Sequence, residues 1–317
     1  MKLGKDWTKT VHDPHRQALQ EAFGLRVRFD EPLSRHTSFR IGGPVDVWVE
    51  VADALEVRRV QAFAAATALP LFVLGGGTNV LVSDRGVRGI VLHLGRPLAA
   101  LQWRANGTGH HVRAGAAASL KRLVNEAIDR DLAGLEFAEG IPGTVGGSLL
   151  MNAGAFGGEM ADVVRSVEGV DAAGQVQQLP RSALGFGYRH FDLPPGFIVT
   201  HLHFLLQPDD GAAIRARREN AKRHREAHQP LGYPNAGSIF KNPPGQFAGK
   251  LLEAAGLKGC RRGGAMFSRQ HANFIVNVDA ATAADVRWLM DEAIHRVHDM
   301  SGVRLEPEIR LVGDWGD

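Results

Sequence analysis

Cysteine, tyrosine and long apolar runs are all scarce in this chain, and each scarcity removes a class of protein. Cys260 is the single cysteine among 317 residues, so an intramolecular disulfide and a cysteine-rich zinc site are both excluded. Such usage suits a reducing compartment. The opening run MKLGKDWTKTVHDPHRQ has no apolar stretch after its lysines and does not read as a secretory signal. No stretch approaches the roughly 20 apolar residues that cross a bilayer. The expectation is a cytoplasmic protein with no membrane partner. An excess of one charge is missing too: 37 Lys and Arg against 34 Asp and Glu leave a net +3. With two tyrosines there are no aromatic stacking runs, and nucleic acid is not the expected partner. A small anionic ligand needs only a few placed cations and fits this balance. Of the 14 histidines, His224 and His228 stand four apart, but no HExxH surrounds them and their neighbours are cationic. No metal site is expected there or at His110-His111.

What is present is an ordinary folding composition, 44% hydrophobic and 22% charged, long enough for two or three domains. Residues 1–24 give no clear signal. Val45, Val47, Val49 and Val51 alternate as a strand after Gly42-Gly43. Residues 54–68 are rich in helix formers, and 71–74 and 89–94 read as buried strands, which makes a β-α-β start. Leu120, Leu123, Val124, Ala127 and Ile128 predict an amphipathic helix over 118–132. Residues 140–160 are too glycine-rich for a regular element and too apolar for a linker. Short strands and turns follow to about 207, then a basic helix over 212–228. The remainder reads as helix 247–255, strand 272–278, helix 282–299 and strand 303–312.

Four segments carry chemistry. In LGGGTNVLVSD, 74–84, three glycines after a strand can turn several amides toward one anionic oxygen; a glycine hairpin would use the same letters. The run is neither GxxxxGK[ST] nor GxGxxG, which disfavours a P-loop and a Rossmann turn. In 140–160, Gly140, Gly143, Gly146 and Gly147 would let main chain lie against a planar ligand, or simply pack closely on another sheet. One long ligand with a diphosphate and a ring system would need both loops. In NAGSIFKNP, 235–243, Ser238 is a proton donor, a nucleophile or only a turn cap. No GxSxG elbow surrounds it, so a hydrolase is not expected. In RLEPEIRLV, 304–312, period two separates Leu305, Ile309 and Leu311 from Glu306, Glu308 and Arg310, and Pro307 suits an edge strand.

The order HTSFRIGGPVD, LGGGTNVLVSD, GLEFAEGIPGTVGGSLLMNAGAFGGEM, FGYR, QPLGYPNAGSIFKNP, AGKLLEAAGLKG, HANFIVN and LEPEIRLVG covers about 35 to 313. It closely resembles the UDP-N-acetylenolpyruvoylglucosamine reductase family, in the shorter subtype without an extra tyrosine-bearing loop over the substrate. The resemblance implies an α+β fold: a two-subdomain FAD-binding region of the vanillyl-alcohol-oxidase type, and a C-terminal α/β substrate-binding domain. The boundaries expected are an extension over 1–24, the FAD-binding domain over 25–208 and the substrate-binding domain over 209–317. It implies NADPH as electron donor and a UDP-linked enolpyruvyl ether as small-molecule substrate. FAD would be non-covalent, since 71–84 holds no histidine to anchor it.

By the same resemblance Gly75, Gly76, Gly77, Thr78 and Asn79 form the FAD diphosphate loop. Ile141, Pro142, Gly143, Thr144, Gly146 and Gly147 form a second wall of the flavin site. Arg189 of FGYR would clamp the substrate carboxylate, with Tyr188 beside it. The run continues YRHFD where the family often has a serine. Glu308, with Glu306 as fallback, would stabilise the developing carbanion, and Ser238 would protonate it. Lys241 and Asn242 would touch the UDP portion, and the basic helix would add phosphate contacts or be a solvated face. Two rivals remain: another flavoenzyme of the same architecture, and a non-enzymatic nucleotide- or nucleic-acid-binding protein.

Overall fold

The computed structural model describes residues 10–107 and 109–316, apart from the Asn106 side chain. The chain divides into two units, one of Met1–Trp48, Gly77–Ile90 and Glu226–Asp317, the other of Val49–Gly76 and Val91–Arg225. This spatial division cuts the chain differently from the linear boundary expected near 208–212. No helix among the described residues is long and apolar enough to cross a membrane.

The second unit is built on a six-stranded antiparallel sheet. Its strands run in the order Val176–Pro180, Val164–Val170, Ile198–Pro208, Gly109–Gly115, Leu101–Asn106, with Leu132–Ala133 pairing at the end of Ile198–Pro208. Period two sorts the sheet's faces. Val112, Ala114, Val167, Leu202 and Phe204 are fully buried on one face. The helix Leu120–Ile128 buries Leu120, Leu123, Val124, Ala127 and Ile128, and its Glu126 accepts from Trp103 Nε1 at 2.8 Å. The other face carries a polar network. Arg113 makes a bidentate contact with Glu168, and His203 bridges Glu168 and His111.

The first unit closes around a core of Phe39, Leu81, Ile239, Phe240, Phe267, Leu289 and their neighbours. The long helix Ala283–Ser301 supplies one wall through Val286, Leu289, Met290, Ala293 and Val297. Thr282 caps it with a capping box, and the carboxylate of Asp84 accepts from the amides of Ala283 and Ala284 at 2.8 and 2.9 Å. Strands Arg261–Arg262, Ala265–Phe267 and Ile275–Asn277 form a meander, and Val80–Val82 pairs in parallel with Arg310–Val312.

Three sequence readings change. The first 24 residues include a helix, Asp13–Phe23, which buries only Leu19 and Phe23 and so leaves little periodic signal; residues 1–9 lie outside the described part. The glycine-dense run contains a short helix, Val145–Leu150, capped by Thr144. Gly146 is tolerated there because a Cβ would stand 2.9 Å from that of Ala116, so close packing outweighs propensity. In 303–312 only Arg310–Val312 is strand. Pro307 has no N–H to offer a ladder, although Leu305 and Ile309 are buried as the alternation requires.

The polar network sets an acid limit on stability. Burial holds His201 at about 4 against an ordinary 6.5, helped by the nearby Arg113 cation. Glu168 is held to about 2, first by its hydrogen bond from Arg113 and also by His203, against its own burial. With a lowered folded value, His201 favours the fold above 6.5, and that contribution disappears as pH falls toward about 4. Loss of about 1–2 kcal/mol over that window, after solvent screening of this partly exposed ring, is expected for the wild type. His201→Gln should flatten the pH dependence of the melting temperature between those limits. An unchanged slope would reject the assignment.

Candidate active site

In the second unit the two glycine loops meet. A Cβ on Gly75 would stand 2.6 Å from Thr144 Oγ1, and one on Gly76 would stand 2.9 Å from Gly143 Cα. Only glycine permits this approach, because the obstacle at Gly76 is main chain. Among the described residues, the amides of Gly75, Gly76, Gly143 and Thr144 donate no hydrogen bond inside the protein. Clustered free amides of this kind suit a diphosphate or the polar edge of a flavin, so these residues fit the cofactor. Val145 and Gly146 are instead bound to Ala118 O and Ala116 O, and Gly147 N–H donates to Thr144 Oγ1. Ile141 donates to Ala138 O and Pro142 precedes Gly143, whose φ is +117°.

Arg189 sits at the turn of the hairpin Gly185–Gly187 and His190–Asp192, with Tyr188 half exposed. Its φ of +53° is unusual for arginine, and two contacts hold it: Arg189 Nη2 to Gly154 O at 2.9 Å, and Asn152 Nδ2 to Gly187 O at 3.0 Å. Asn152 is fully buried and also accepts from Ala161 N–H. At the position after the arginine, His190 pairs with Asp192. Burial pushes the Arg225 guanidinium below its ordinary value; Glu139 opposes that shift and Arg189 adds to it. The Arg225 side chain lies against Gly140 and over the Phe156 ring. The other arginines of the basic helix are engaged: Arg215 with Asp131, Arg217 with Glu136 and Asp209, Arg218 with Glu139 and Asn125. These pairs tie the helix down through its arginines.

The first unit holds Gly77, Thr78, Asn79, Ser238, Lys241, Asn242 and Glu308. Gly77 has φ +61°, and a Cβ there would run into the His36 carbonyl. Ser38 N–H donates to Gly77 O at 3.0 Å, and Ser38 Oγ donates to Asn235 O at 2.6 Å. Asn235 Oδ1 in turn accepts from Gly237 N–H, which shapes the turn ahead of Ser238. Asn273, buried, brackets Phe240 on both sides. Glu308 N–H donates to Ile239 O at 2.7 Å, and Lys241 N–H to Glu306 O at 2.9 Å, so the segments bearing Ser238 and Glu308 are paired. Lys241 Nζ lies 3.5 Å from the exposed carboxylate of Glu306. Asn242 Oδ1 accepts from Ala248 N–H at the start of the helix Ala248–Ala254. Arg310 is a further residue that the alternation pattern had assigned to the same face as Glu306. Burial alone lowers its guanidinium, and it has no acidic partner among the described residues. Asn152 was missed by sequence reasoning, although Gly154 stands close by; in the sequence Arg225 and Arg310 read only as parts of the basic helix and of the polar face of 304–312.

The description FAD binding domain matches residues 45–180. A solved 4-ethylphenol oxidase from Gulosibacter chungangensis shares the fold at TM-score 0.50 and 16% identity, covering 94% of this chain and 66% of its own. Fold and domain together define an FAD-dependent oxidoreductase. The UDP-N-acetylenolpyruvoylglucosamine reductase C-terminal domain matches residues 229–312. UDP-N-acetylenolpyruvoylglucosamine reductase 2 of Symbiobacterium thermophilum is 49% identical over 92% of each chain. The reductase of Geobacter sulfurreducens is 45% identical over 90% of this chain and 93% of its own. A crystal structure of UDP-N-acetylenolpyruvylglucosamine reductase from Thermus caldophilus aligns at TM-score 0.77 and 37% identity, over 90% and 98% of the two chains. The chain belongs to the UDP-N-acetylenolpyruvoylglucosamine reductase family.

The glycine requirement can be tested directly. Gly77→Ala meets both a positive φ and main chain, and should cost more than about 2 kcal/mol by thermal or urea unfolding. Gly157→Ala, at φ +85° with nothing within 4 Å, should cost about 1 kcal/mol. Equal costs would show that the His36 contact does not constrain position 77.

Proposed function

We propose that this chain reduces the enolpyruvyl ether of UDP-N-acetylglucosamine to the lactyl ether, UDP-N-acetylmuramate, with NADPH as reductant. Such a reaction belongs to cell-wall precursor synthesis in the cytoplasm. FAD, when bound, would take up a hydride from NADPH and supply a hydride to the terminal vinyl carbon of the substrate. The amides of Gly75, Gly76, Gly143 and Thr144 would hold it. What the protein must then manage is negative charge on the carbon next to the carboxylate. Arg189 binds and orients that carboxylate through its guanidinium fork. Tyr188 contacts the substrate beside Arg189, and Lys241 and Asn242 bind the nucleotide portion; Asn242 does so beside its capping bond. Arg225 and Arg310, cations partly stripped of water, provide fixed positive charge for the anionic groups of the substrate. Glu308 stabilises the charged carbon's carboxylate as a hydrogen-bond donor, and Ser238 Oγ delivers the proton that completes the reduction.

One observation carries this reading: Glu308 N–H bonds to Ile239 O at 2.7 Å, which sets the acid residue and the serine on paired segments. A turn-cap role for Ser238 has no such support, since its hydroxyl makes no hydrogen bond among the described residues. Glu306, exposed and facing Lys241, suits a surface ion pair rather than the carbanion.

The two half-reactions separate the roles. Under anaerobic conditions Ser238→Ala should keep flavin bleaching by NADPH at the wild-type rate. Re-oxidation of the flavin by the enolpyruvyl sugar nucleotide should slow by about 10²-fold or more. Unimpaired re-oxidation would remove Ser238 as the proton donor, and a flavin that NADPH cannot bleach would remove the reductase reading altogether.

A further inference from the structure

Asn79 stands in the glycine motif, yet its side chain is engaged elsewhere. Asn79 Nδ2 donates to Glu308 O at 3.2 Å, and Asn79 O accepts from Arg310 N–H at 3.0 Å. Both bonds reach across 229 or more positions of sequence to the last strand. The regular parallel ladder begins only at Val80 opposite Arg310. Glu308 precedes it, in an irregular stretch after Pro307. The Asn79 side-chain amide donates to its carbonyl there and extends the pairing by one rung. On the other side, Glu308 N–H is held by Ile239 O at 2.7 Å. Pro307 fixes the preceding φ and bridges to Phe240. With its N–H and C=O both taken, the Glu308 main chain is held on both sides.

We infer that Asn79 is a positioning residue for Glu308: its side-chain amide fixes the main chain that aims the carboxyl group. This inference rests on the role given to Glu308 above. At the other end of the same tripeptide, Gly77 O is bound by Ser38, whose hydroxyl holds Asn235 ahead of Ser238. The stretch 77–79 therefore braces both segments that carry the proton-handling groups, and Asn79 is the member that does so through a side chain. A misplacement of the order of 1 Å at a reacting group can cost about 10²-fold in rate.

The test uses the flavin-loaded full chain with Asn79→Ala and with Asn79→Asp, which keeps the volume but removes the donor. Rates are taken per bound flavin on protein saturated with FAD, and FAD affinity is read separately by flavin fluorescence, so that a change in cofactor binding at this loop does not enter the half-reaction rates. Re-oxidation by the enolpyruvyl sugar nucleotide should slow about 10- to 100-fold. In a Glu308→Gln background, Asn79→Ala should add less than about threefold, because both changes remove one function. If Glu308→Gln alone leaves re-oxidation intact, the role of Glu308 fails. If it slows re-oxidation while the Asn79 variants do not, or the double variant shows the full product of the two losses, the positioning role fails. Variants that do not fold or lose flavin would make Asn79 a folding or cofactor residue, and would overturn the inference as well.

Discussion

Close main-chain approach along the segment 77–86 holds the first unit together. Gly77 lies against the His36 carbonyl, Gly86 against the Pro44 carbonyl, and Gly43 against the main chain of Asp84. Between these contacts Ser83 N–H donates to Val312 O at 2.9 Å and Ser83 Oγ to Asp314 O at 2.6 Å. Asp84 then caps the helix Ala283–Ser301. One short stretch so joins the HTSFRIGG segment, the C-terminal strand and the longest helix. Each obstacle is backbone, which cannot swing aside as a flexible side chain could, so the letters at these positions have little latitude. The placement of Glu308 follows from the same brace.

In the second unit, ion pairs define placement more than they add stability. The pairs of Arg215, Arg217 and Arg218 are partly exposed, and pairs of this kind add little stability because water screens them. Their effect is to pin the helix Gly211–His228 against the segment 131–139. Arg225 differs because its guanidinium lies deeper, against Gly140 and Phe156, where desolvation raises the cost of its charge and a ligand anion would be favoured.

Strong periodicity was legible in the letters. The helices Leu120–Ile128 and Ala283–Ser301 and the strand Pro44–Val51 lie within one to four residues of the limits expected from spacing. Weak periodicity was not. Asp13–Phe23 buries two side chains only, and Val145–Leu150 is formed by glycines whose helicity comes from docking on residues 116–118. The 304–309 stretch keeps alternating burial without a ladder, because its partners are single bonds to Ile239 and Asn79.

The sequence by itself determined the family, the two glycine loops and the identity of the candidate groups Arg189, Ser238 and Glu308, because those rest on residue types in a fixed order. Tertiary structure alone decided what each group is held by. Spacing along a chain is silent about partners and burial that lie outside the local segment. Asn79 reading as a phosphate-loop residue while bonding Glu308 O is one case. Asn152 setting the arginine hairpin is another, and Arg310 losing water while Glu306 keeps it is a third. Hydrogen bonds and burial act through space, and only folding brings those atoms into hydrogen-bonding distance.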